Sequence, residues 1–73
     1  MDRITIEPAI KIILSEISAK LAEAARIAKA ADACASTGAI AEGVTVSTDI
    51  EQLIYEAGRL QDAASLLNRL SGG

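Results

Sequence analysis

Histidine, tryptophan and phenylalanine are absent from this 73-residue chain, and cysteine, proline, methionine and tyrosine each occur once. Each scarcity removes something. Without histidine the chain lacks the commonest general base and metal ligand near neutral pH, and no Ser/His or Cys/His nucleophile pair can be assembled. A lone Cys34 cannot close an intramolecular disulfide, which fits a reducing compartment. Ten acids against seven bases give a net charge of −3, and a phosphate backbone requires clustered Lys and Arg, so nucleic acid is not an expected partner. The longest uncharged stretch, Ala33 to Ala41, is nine residues, far short of the ~20 that span a membrane. The start, MDRITIEP, has neither the basic end nor the apolar run of a signal peptide. A soluble, cytoplasmic, non-enzymatic protein with no cofactor and no metal is the expectation.

What is present is helix-forming and aliphatic. Fifteen alanines, ten isoleucines, seven leucines and two valines make up most of the 51% apolar fraction. Pro8 suits the first position of a helix, and nothing breaks the chain from there to about Ser36, where Gly38 provides a stop. Within 8–36, Ile10, Leu14, Ile17, Leu21, Ala24, Ala28, Ala31 and Ala35 recur at alternating spacings of four and three, a four-heptad seam. Ile13, Ile27 and Cys34 widen it on one side. The all-alanine half of this seam allows close approach of a neighbouring helix.

Residues 37–47 read as the connection, hinged at Gly38 and Gly43. Thr48-Asp49-Ile50-Glu51 spells a capping box that would open a second helix over 49–70. Its seam is Ile50, Leu53, Ala57, Leu60, Ala64 and Leu67, leaving Ile54, Leu66 and Leu70 outside. Two short β-like alternations, Ile4–Ile6 and Val44–Val46, fall at opposite ends of such a hairpin and could pair as strands only between the chains of an antiparallel dimer. Glu23-Ala24-Ala25-Arg26-Ile27 returns 33 residues later as Glu56-Ala57-Gly58-Arg59-Leu60, either a shared packing demand or a duplicated helix.

Other motifs fail on inspection. Gly38 to Thr45 has the glycine spacing of a phosphate-binding loop, but Val44 stands where the lysine is needed. The ending Arg69-Leu70-Ser71-Gly72-Gly73 resembles the tail of ubiquitin-like modifiers, whose fold needs an initial β-hairpin where this chain has heptads. The attachment serine of acyl carrier proteins has no counterpart, since Ser65 follows Ala64 inside a helix. Cys34 reads as a small packed residue. Glu16, Lys20, Glu23, Arg26 and Lys29 read as salt links along one solvated helix surface, and no carboxylates fall at a recognisable metal spacing.

The expected fold is therefore all-α: an antiparallel two-helix hairpin. Two helices share one mutual face and this chain offers apolar residues beyond it, so dimerisation into a four-helix bundle is expected. Ile10, Leu14, Ile17, Leu21, Ala24, Ala28, Ala31, Ile54, Leu66 and Leu70 are the candidate interface. Tyr55 and Arg59 are a candidate hot spot for another protein, residue types over-represented at such sites. The alternative partner is a heterologous helix completing the core, as in small secretion co-chaperones.

Overall fold

A computed structural model describes residues 2–72. It contains two helices, α1 (Arg3–Ser36) and α2 (Ile40–Leu70), packed along their length as a rod of 54 × 14 × 13 Å. At 1.5 Å per residue the 34 residues of α1 account for ~51 Å of that length. The all-helical hairpin is as the sequence indicates. Both helices, however, start earlier than the sequence indicates.

α1 begins five residues before Pro8, because Asp2 caps it. The Asp2 carboxylate accepts from the Ile4 amide at 3.0 Å and from the Thr5 hydroxyl at 3.3 Å, and the Asp2 carbonyl accepts from the Ile6 amide at 3.0 Å. This cap overrides the β-like Ile-Thr-Ile pattern and puts Ile6, only 2% exposed, into the contact with α2. Pro8 consequently lies inside the helix and has no N–H for the Ile4 carbonyl, at an exposed position where water can take that acceptor.

The connection is Thr37 to Ala39, not eleven residues. Gly38 adopts φ +91°, its amide donates to the Ala35 carbonyl at 3.0 Å, and the Ala39 amide reaches back to the Cys34 carbonyl at 2.9 Å. That pair of bonds is a Schellman stop, and it turns the chain directly into α2. Residues 40–47 are helical, so the Val44-Thr45-Val46 alternation is not a strand, and among the described residues there is no strand at all. The pairing of two β segments across a dimer is thereby excluded. Thr48 is no cap either: its hydroxyl donates to the Thr45 carbonyl at 2.7 Å within α2, as those of Thr45 and Ser47 do to Ala41 and Val44.

Gly43 explains why helix wins here. A Cβ placed on it would lie 2.8 Å from the Ala31 carbonyl oxygen and 3.5 Å from the Cys34 Cβ. It is therefore a point of close backbone approach between helices rather than a hinge. Stepping by heptads from Cys34 opposite Gly43 sets Ile27 opposite Ile50, Lys20 opposite Ala57 and Ile13 opposite Ala64. The α2 seam matches its sequence reading and extends back through Val46 and Gly43. On α1 the seam is Ile6, Ile10, Ile13, Ile17, Lys20, Ala24, Ile27, Ala31 and Cys34, all buried or half-buried. Leu14, Leu21, Ala28 and Ala35, read from sequence as half of the seam, lie beside it and are exposed. The well-buried positions are mostly small (Ala24, Gly43, Ala57, Ala64), which keeps the helix backbones close.

Candidate functional surface

The hairpin seam runs as a/d heptads, so residues next to each d position fall on one of two flanks. A two-fold axis normal to the plane of an antiparallel pair exchanges the helices but leaves each flank on its own side. Residues that follow a d position on either helix therefore share a flank. Leu14 follows Ile13, Leu21 follows Lys20, Ala28 follows Ile27 and Ile54 follows Leu53, so these four candidate interface residues lie together on one flank. Leu21 and Ile54 remain 45% and 50% exposed. Leu66 precedes Leu67 and lies toward the opposite flank with Ile12, which precedes Ile13; both are exposed. The sequence grouping of Ile54 with Leu66 is thus split by the fold. Leu70 is also an exposed apolar residue, near the end of α2. Ile10, Ile17, Ala24 and Ala31, the remaining candidates, are in the contact between α1 and α2.

The second flank differs in charge. The residues immediately before the a positions Ile17, Ala24, Gly43, Ile50 and Ala57 are Glu16, Glu23, Glu42, Asp49 and Glu56. One cation enters this acidic flank from the seam. The Lys20 Nζ lies 3.0 Å from Glu56 Oε1, and Gln52 donates to the other carboxylate oxygen at 3.0 Å. The Gln52 amide, and then the Lys20 hydrogen bond and charge, hold the Glu56 carboxyl below its ordinary value of 4.5. Lys20 is therefore a bridge between helices at a position whose neighbours in the seam are apolar. The sequence expectation had it serving Glu16 and Glu23 along α1. A polar residue in an apolar seam penalises other registers, because only one alignment supplies its partner. Glu23 pairs with Arg26 as its i,i+3 spacing indicates, the Arg26 Nε lying 3.2 Å from Oε2, and Arg3 lies 3.9 Å from Glu7. Both are exposed helical pairs of small energetic weight.

Tyr55, 61% exposed, and Arg59 one turn later lie on the outside of α2, away from the seam. Cys34 is half-buried in the seam opposite Gly43, nearer the contact than its sequence reading placed it. Of the Gly-Gly ending, Gly73 lies outside the described residues, and Gly72 follows the α2 C-cap with φ +87°. Among the described residues no His, Cys, Asp or Glu cluster could hold a metal ion, and no helix is long and apolar enough to cross a membrane. No protein-family model, curated protein or solved structure matches this chain.

Proposed function

We propose that this protein is a non-enzymatic helical interaction module of the cytoplasm that self-associates, two hairpins forming a four-helix bundle. The observation that supports this reading is surface left uncovered. The protein exposes 5155 Å², whereas a compact monomer of its mass exposes about 4,200 Å². The excess, roughly 900 Å², is close to the ~800 Å² that each partner loses in a standard stable interface. Its radius of gyration, 16.7 Å, likewise exceeds the ~11 Å of a compact chain of this length. A rod two helices thick has no interior on its outer faces, and a second hairpin supplies one. The non-enzymatic part of the reading rests on the lack of histidine in the sequence and of any assembled catalytic group among the described residues.

Light scattering behind size-exclusion chromatography, over a wide dilution range, tests the reading. A mass near twice 7.5 kDa that persists on dilution supports it. A helical monomer at every concentration refutes self-association and transfers the uncovered surface to a heterologous helix, the adaptor or co-chaperone arrangement.

A further inference from the structure

We infer that the self-association proposed above uses the flank carrying Leu21 and Ile54, and that its occupant is the same flank of a second copy. Three observations converge on it. The first is Gly58, in the middle of α2 with open space around a Cβ added there. Nothing in the single hairpin requires a glycine at this point, and glycine inside a helix is unfavourable relative to alanine. Gly58 lies one turn beyond Ile54 on the same side of α2, so a chain laid on this flank meets bare backbone there.

The second observation is the 33-residue repeat. It carries Leu21 onto Ile54 and Ala25 onto Gly58, and it carries the layer of Ala24 opposite Leu53 onto the layer of Lys20 opposite Ala57. The centre of the flank thus bears two bulky residues and two small ones, related by the hairpin's own approximate two-fold. A surface with both a ridge and a matching hollow is complementary to itself, which is the requirement of an isologous interface. Leu21 and Ile54 of one copy fit against Ala25 and Gly58 of the other.

Charge is the third. Near its centre this flank presents Leu14, Ser18, Leu21, Ala25 and Ala28 from α1 and Ile54, Gly58, Gln61 and Ser65 from α2, with Glu51 the one charged side chain among them. The opposite flank is more densely charged, with five carboxylates, Arg59, Arg26 paired to Glu23 and Lys20 engaged by Glu56, so a second copy laid there would have to desolvate more charge.

Sedimentation equilibrium of three variants of the full chain separates the outcomes, with circular dichroism to confirm that each remains helical. Gly58→Gln introduces a good helix former into space that is open in the single hairpin, so it leaves the hairpin folded and blocks only an approaching chain. We expect it, and the pair Leu21→Gln with Ile54→Gln, to raise the dimer dissociation constant at least about tenfold, because a two-fold interface takes each loss of buried apolar surface twice. Ile12→Gln with Leu66→Gln on the other flank should leave it unchanged. A dimer indifferent to Gly58→Gln, or weakened only by the Ile12 and Leu66 pair, overturns this face while self-association stands. Wild-type protein that is monomeric throughout overturns both.

Discussion

Gly43→Ala isolates the closest approach in the hairpin. In an isolated helix this change is favourable by about 1 kcal/mol. Here the added methyl would sit 2.8 Å from the Ala31 carbonyl oxygen, 0.6 Å inside an ordinary contact beginning at 3.4 Å. The obstacle is backbone, which has no rotamer to change, so the helices must separate locally. Overpacking of this kind costs about 1–3 kcal/mol. Opening a gap of 0.5–1 Å also forfeits roughly a quarter to a half of each neighbouring dispersion contact. The net expectation is a loss of about 1–2 kcal/mol, or roughly 5–15 °C in melting temperature for a chain of this size. Thermal melts followed by circular dichroism at one fixed protein concentration measure it, since association adds concentration-dependent stability. A variant melting at or above wild type would refute the close approach of α2 to Ala31 and return Gly43 to the role of a hinge.

Pro8→Ala restores a donor for the Ile4 carbonyl within α1 and should stabilise the protein by about 1–3 kcal/mol, read as a rise in melting temperature. Asp2→Ala removes the α1 cap; it should cost about 0.5–2 kcal/mol and speed hydrogen exchange at the Ile4 and Thr5 amides, with exchange near Gly43 unaffected. Glu56 supplies a pH dependence of known sign. Its carboxyl is held below the ordinary value of 4.5, so its contribution is present above that pH and is lost as pH falls through the lower folded value. The stability gap between wild type and Glu56→Gln should therefore be widest near neutrality and narrow below pH 4.5; a gap that does not change with pH would show that Lys20 and Glu56 are not coupled in solution.

The two helices, their antiparallel arrangement and the α2 seam were legible in the sequence because each rests on local pattern. An unbroken run of helix formers needs no tertiary context, and Ile50 to Leu67 offers a single heptad stripe. Gly38 was likewise readable as a stop, since a left-handed turn leaves few alternatives. The α1 seam was ambiguous in a specific way. Ile10, Ile17, Ala24 and Ala31 belong to two overlapping heptads, one continued by Leu14, Leu21, Ala28 and Ala35 and the other by Ile6, Ile13, Lys20, Ile27 and Cys34. Apolar pattern favours the first, since a lysine interrupts the second. The folded hairpin uses the second, and there Lys20 bridges to Glu56 on α2, whose other carboxylate oxygen accepts from Gln52, a partnership that joins residues 36 positions apart.

Gly43 and Val44–Val46 carry the same lesson. Locally they read as a hinge and a strand fragment, since glycine disfavours helix and β-branched residues favour extended backbone. The tertiary structure reverses both preferences, because a continuous α2 can bring Gly43 against Ala31 and extend the seam to the turn. Composition and periodicity determined that this chain builds helices with more apolar surface than one hairpin can cover. Which of the two α1 stripes is enclosed, and hence which is left on the outside with Ile54 and Gly58, was decided only by contacts between distant residues, among them the Lys20–Glu56 pair and the close approach of Gly43 to Ala31.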